Sequence, residues 1–152
     1  MTYQHRLQRS GNAPLTFSGE RIAAQDGRLQ FGKEHNRYHD LAIYRTGEGK
    51  YIVAIKFMTL WQGESDHASA YVCDSPVDAG NVCRDYDPTL HVGGFPPSDK
   101  YGDRQIRLMA DVRARYDEQV RELLNLDVFV ENVKPLRLRP RPNGEVDLSL
   151  QL

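Results

Sequence analysis

The sequence predicts an α+β fold, in which an antiparallel sheet of hairpins packs against one long amphipathic helix and a C-terminal strand or arm ends the chain. Three observations support this class. Residues 41–60 hold two strand-like segments around a glycine-containing turn, residues 103–124 repeat apolar side chains at helical spacing, and residues 146–152 alternate apolar and polar side chains. The chain has 152 residues, 39% hydrophobic and 27% charged, which is typical of one globular domain.

The clearest hairpin joins residues 41–46 to residues 50–60 through Gly47-Glu48-Gly49. Side chains alternate between faces along a strand, and the second arm is apolar on both faces apart from Lys56. We therefore expect a central strand that is covered by a helix on one side and by a loop, another element or a partner on the other.

Other strands are indicated on either side of this hairpin. Asp26-Gly27 favours a two-residue turn between residues 20–25 and 28–32. Residues 67–73 are expected to pair next in the sheet, and residues 127–133 to return to it.

Two helices are indicated, one short and one long. Ser75-Pro76 is typical of a helix start, with Ser as the cap and Pro at the first position. Residues 89–98 are rich in Gly and Pro and predict an irregular loop. In the long helix, the following side chains form one apolar stripe: Ile106, Met109, Val112, Tyr116, Val120, Leu123 and Leu124.

The ends of the chain differ in character from its middle. Residues 1–14 are predicted to be a flexible N-terminal arm, residues 15–133 a single α+β domain, and residues 134–152 a Pro/Arg-rich extended arm and terminal strand. A hairpin at Asn143-Gly144 would set arginines opposite the apolar positions, so we expect the last strand to pair with another sheet edge, of its own chain or a neighbour's.

Charge and cysteine content exclude several classes of partner. The net charge is −1, so the whole molecule has no general attraction for nucleic acid or an anionic membrane. There is no long apolar run and no signal-like N-terminus, so a cytoplasmic protein without membrane contact is expected. Cys73 and Cys83 lack the C-x2-C spacing of zinc sites, and two free thiols are expected.

His35 and His39 form the one pattern that suggests a metal site. Four residues apart, both rings can lie on one side of a helix or a strand. A third ligand would have to come from elsewhere, and the candidates are His67, His91, Asp66, Glu64 or a cysteine. The simpler interpretation is a polar turn before a strand, so no cofactor is expected and a divalent metal is the alternative.

Other chemistries lack a motif. The sequence has no G-x-S-x-G elbow, no phosphate-binding G-x-x-x-x-G-K-[ST] loop and no G-x-G-x-x-G fingerprint. Arg113 falls inside the apolar stripe of the long helix, where we expect it to pair with Asp117 or with a group of a partner chain.

The leading hypothesis is a non-enzymatic binding or regulatory module that self-associates through its sheet and C-terminal arm, with a dimer favoured and a further protein partner allowed. The alternatives are a metal-dependent enzyme using His35 and His39, and a nucleic-acid accessory protein using the basic arm. The expected interface residues are Arg113, Arg137, Arg139, Arg141, Val146, Leu148 and Leu150.

Overall fold

A computed structural model gives the architecture, and the structure describes residues 2–32, 35–92 and 99–125. In chain order the elements are β1 (Tyr3–Arg9), β2 (Asn12–Asp26), α1 (Gly27–Phe31), β3 (Arg37–Thr46), β4 (Tyr51–Thr59), β5 (His67–Cys73), α2 (Pro76–Asp85) and α3 (Asp99–Leu124). The strands form one antiparallel sheet in the order β1-β2-β3-β4-β5. The predicted α+β class is confirmed.

The β3–β4 hairpin is confirmed where the sequence predicts it. The Thr46 N–H donates to the Lys50 carbonyl at 2.8 Å, and Gly49 takes a positive φ of 83° that a glycine adopts without strain. The expected strand over residues 67–73 is β5, which pairs with β4 from Phe57 opposite His67 to Tyr51 opposite Cys73.

The N-terminus differs from the predicted flexible arm over residues 1–14, because Tyr3–Arg9 is a strand. His5 and Leu7 point inward while Gln4, Arg6 and Gln8 are exposed, so only every second side chain is in contact with the protein. The segment contains many polar residues because one face of the strand is exposed to solvent. Exposed and inward side chains alternate along such a strand.

The sheet curls until its first strand meets its last. Ser10, at the tip of the β1–β2 hairpin, donates its N–H to the Ala68 carbonyl of β5 at 2.8 Å, and its hydroxyl accepts the Ala68 N–H at 2.9 Å. The 15-residue β2 makes this possible, since its first half pairs with β1 and its second half with β3. Gly19 belongs to both pairings.

The hairpin predicted at Asp26-Gly27 is wrong, because this pair starts α1 instead. The Asp26 carboxylate accepts the N–H groups of Arg28 at 2.9 Å and Leu29 at 3.1 Å, as a helix N-cap does. A Cβ on Gly27 would lie 2.6 Å from the His39 carbonyl oxygen. The glycine is needed here for close packing between neighbouring chain segments.

Both predicted helices are confirmed. The Ser75 hydroxyl accepts the Asp78 N–H at 3.1 Å and caps α2, whose first residue is Pro76. The long helix α3 starts at Asp99, four residues before the predicted start. The predicted stripe is wrong at one position, since Ile106 is 68% exposed.

The apolar residues lie on both faces of the sheet. On one face α2 and α3 cover a core whose largest members include Leu41, Ile43, Ile55, Tyr116 and Leu123. On the concave face, the β1–β2 hairpin brings Leu7, Leu15 and Phe17 over Tyr44, Ile52 and Ala54. The expectation that β4 is covered on both sides is therefore confirmed, and its own chain supplies both covers.

Within the described residues, no helix has the length and apolar character needed to cross a bilayer.

Replacing Gly19 with Ala should destabilise the protein, because a Cβ there would lie 2.3 Å from the Arg45 carbonyl oxygen and the backbone would have to shift. We expect a loss of about 1–3 kcal/mol in the free energy of unfolding, measured by urea denaturation. Gly47→Ala is the matched control, since its nearest neighbour would be 4.0 Å away. Equal effects of the two substitutions would contradict this account of the close contact at Gly19.

Candidate functional site

His39 lies on the helix-facing side of β3 and is 3% exposed. Its ring is surrounded by aromatic rings, with centroid distances of 5.1 Å to Tyr116, 5.5 Å to Phe57 and 6.2 Å to Tyr86. Gln119 of α3, itself buried, donates to the His39 carbonyl at 2.9 Å. This hydrogen bond from Gln119 links α3 to the sheet at His39.

The surroundings of His39 keep its imidazole neutral. Burial lowers its pKa to about 4, and the charge of Arg115 and the nearby His91 add to this, while a hydrogen bond with the Pro88 backbone opposes it. The ring Nε2 is buried and has no hydrogen-bond partner within the described part of the chain. An unprotonated imidazole nitrogen can accept a hydrogen bond or bind a metal ion.

His35 and His39 border the same small cavity. Its volume is about 10 Å³, close to what one water molecule needs, and Arg37, Arg115 and Gln119 also line it. The structure therefore brings together the two histidines that the sequence selected. The positive charge of Arg115, which acts on His39, opposes the binding of a cation.

The proposed third ligands lie elsewhere and are engaged. Glu64 accepts from Arg37 Nε at 2.9 Å, and Asp66 accepts the Thr59 N–H at 2.8 Å. His67 and His91 stack on each other with ring centroids 3.6 Å apart. Across the described residues, no group of three or more His, Cys, Asp or Glu side chains is arranged to hold a metal ion. The metal site on His35 and His39 stays a prediction.

The cysteines are free, as the sequence predicts, and the structure shows that both are buried. Burial raises the pKa of Cys83 to about 12, and also raises the pKa of Cys73. A thiol with a raised pKa is a poor nucleophile at neutral pH.

Arg113 does not pair with Asp117, so the predicted partner is wrong. Its guanidinium donates to Asp87 Oδ1 at 3.1 Å, and both side chains are about half exposed. A long side chain leaves the apolar stripe in this way by extending its charged end to the surface. The other expected interface residues (Arg137, Arg139, Arg141, Val146, Leu148 and Leu150) lie outside the described residues.

Sequence reasoning also missed a pocket on the concave face. Its volume is about 230 Å³. Ala24, Ala42 and Ala54 lie side by side on β2, β3 and β4, and the next row along the sheet is Asp26, Asp40 and Lys56. The predicted β3–β4 hairpin could have indicated the part of the pocket that these two strands form, because its register sets Asp40 opposite Lys56 and Ala42 opposite Ala54.

The charges of this pocket are incompletely matched. Asp26 lies directly opposite Asp40 in the β2–β3 ladder, and like charges at that spacing repel. Burial raises the pKa of Asp40, and the charge of Asp26 raises it further, while the Gly27 N–H and Lys56 oppose the rise. The repulsion leaves a half-buried carboxyl group that a cationic ligand would stabilise.

A second concave feature is an apolar groove beside β5. Its volume is about 320 Å³. Its apolar lining consists of Leu15, Phe17, Ile52 and Val72, and its polar lining consists of Thr16, Ser18, Thr46, Glu48 and Lys50. Val72 is 59% exposed, although it lies on the same face as buried Ile52.

Replacing His39 with Gln should reduce the loss of stability in acid. With a pKa of about 4 in the folded state against 6.5, the imidazole binds a proton more readily in the unfolded chain. Its contribution is complete above about pH 6.5, falls as the pH drops towards 4, and is on the order of 3 kcal/mol.

The measurement is urea unfolding of both proteins at about pH 7.5 and pH 4.5. The parent protein should lose more stability between these values than the variant does. The same loss in both proteins would show that His39 is not the group responsible.

No protein-family model matches the chain, and no curated protein or solved structure matches it either.

Proposed function

We propose that the chain is a non-enzymatic binding module that forms a dimer, in which the C-terminal segment of each copy pairs with the β5 edge of the other. The observation that carries this proposal is the open part of the β5 edge beyond Ala68, which lies beside an apolar groove.

The direction of the backbone in β5 supports an open edge. Ala68 turns both its N–H and its carbonyl towards Ser10, so residues two and four positions later turn theirs the same way. These residues are Ala70 and Val72. Among the residues that the structure describes, the backbone hydrogen bond from the β1–β2 hairpin to β5 is made at Ala68, and Ala70 and Val72 have no backbone partner on that edge.

The groove gives an added strand a place for its side chains. A strand paired with β5 would direct every second side chain to the concave face, over Leu15, Phe17, Ile52 and Val72. Strand addition of this kind takes its affinity from backbone hydrogen bonds and its specificity from pockets for alternate side chains. The exposed side chains of Tyr71 and Val72, at 38% and 59%, would be covered by it.

The chain contains a segment with the matching pattern. Residues 146, 148, 150 and 152 are Val, Leu, Leu and Leu, and the residues between them are polar. Glu145 follows Asn125 by 20 positions, a length of chain that can span up to roughly 65 Å when extended. Exchange of this segment between two copies gives a closed, symmetric dimer.

The other two hypotheses have less support. The cavity beside His35 and His39 measures about 10 Å³ and is flanked by Arg37 and Arg115. The basic arm that would contact nucleic acid lies outside the described residues. Both remain alternatives.

Deleting residues 145–152 should convert the dimer to a monomer, because the strand that pairs with β5 is lost. Val72→Lys should do the same, since a lysine on an edge strand opposes pairing with another strand. Light scattering coupled to size-exclusion chromatography gives the mass of each species directly. Ile106→Lys is the matched control, because Ile106 is 68% exposed on α3 and lies outside the groove.

Three results would contradict this proposal. The parent chain could be a monomer, the deletion could leave the dimer intact, or Ile106→Lys could dissociate it as strongly as Val72→Lys. A parent monomer that loses stability on deletion would show that the segment pairs with its own chain.

A further inference from the structure

The concave pocket beneath the β1–β2 hairpin combines an apolar floor with opposite charges at one end. Ala24, Ala42 and Ala54 make the floor, and Leu7 and Tyr44 rise at its side. Methyl groups on three neighbouring strands leave the space that larger side chains would fill. A volume of about 230 Å³ is below the roughly 300–1,000 Å³ of drug-sized sites, so a ligand with one short side chain fits the pocket.

The charged end of the pocket is ordered by the register of the sheet. Asp26, Asp40 and Lys56 follow one another across β2, β3 and β4, so a negative pair lies next to one positive charge. Neighbouring positions in such a row are about 5 Å apart. A ligand that carries an ammonium group and a carboxylate group on the same carbon atom matches this order.

The two carboxylates differ in how far the protein satisfies them. Asp26 Oδ1 caps α1 through two N–H groups, at 2.9 Å and 3.1 Å. Within the described residues, Asp40 accepts one longer hydrogen bond, 3.3 Å from the Gly27 N–H, and it forms no ion pair with Lys56. Asp40 and Lys56 therefore keep capacity for a ligand.

We propose that this pocket binds a small α-amino acid with an apolar side chain, whose ammonium group lies at Asp26 and Asp40, whose carboxylate meets Lys56, and whose side chain covers the alanine floor. The ammonium group separates two carboxylates that otherwise repel each other. Arg21, exposed at the far side of the pocket, adds positive charge there. The site includes no residue of the β5 edge, so it does not depend on the proposed dimer.

L-Leucine and its two halves test this assignment on the full-length protein. Isopentylamine keeps the ammonium group and the side chain, and 4-methylpentanoate keeps the carboxylate and the side chain. In a titration followed by ¹⁵N–¹H NMR, L-leucine should shift the amide signals of Ala42, Ala54 and Lys56 to saturation. Each half should bind about tenfold more weakly or worse, because it leaves one charge of the site unmatched.

Two substitutions remove one contact each. Asp40→Asn removes the partner of the ammonium group, and Lys56→Met removes the partner of the carboxylate, so each should weaken L-leucine binding about tenfold. Lys50→Met and Asp74→Asn are the matched controls, because these two exposed residues pair with each other away from the pocket. Both controls should bind L-leucine as the parent does.

Several results would overturn the assignment. L-Leucine could cause no saturable shift up to about 10 mM, the shifts could lie outside the pocket, or either half could bind as well as L-leucine. Unchanged binding by Lys56→Met would do so as well, and this exposed residue can be replaced without disturbing the core. If Asp40→Asn should fail to fold, Lys56→Met and the two half-ligands still decide the question.

Discussion

The close approach of β2 to β3 at Gly19 is the constraint on which the rest of the structure depends. The backbone there passes so near the Arg45 carbonyl that no side chain fits between them. Near this contact the long strand β2 changes its partner from β1 to β3. The register between β2 and β3 shifts just beyond it, between Arg21 and Ala23. A straight β2 would carry β1 past the sheet edge instead of over the concave face.

Both concave features follow from that bend. The β1–β2 hairpin lies over the sheet and fills its centre with Leu7, Leu15 and Phe17. It leaves space at two places, over the alanine row on one side and beside Val72 on the other. The pocket and the groove are thus both on the concave face. The helix-covered face, in contrast, is closely packed around the buried side chains of His39 and Tyr116.

The elements that the sequence predicts well are those whose signal is local. The β3–β4 hairpin, the Ser75 cap and the helix over residues 103–124 each follow from neighbouring residues alone. The sequence does not reveal the strand nature of β1, because its inward residues meet partners far along the chain. The same reason hides the pocket, since the register between separate strands, and not any one segment, places Asp26 beside Asp40. His35 and His39 are near each other as predicted, but their spacing could not reveal the arginines beside them.

The contact between Ser10 and Ala68 has a consequence for how the chain folds. Each strand lies beside the one that precedes it, so every neighbouring pair can form in turn with a short loop to close. The link from Ser10 to Ala68 spans 58 residues and needs all four ladders in place. We therefore expect it to form late in the folding reaction, and we expect β1 to be among the first parts of the sheet to open. The least local hydrogen bonds of the described sheet thus hold the hairpin that covers its concave face.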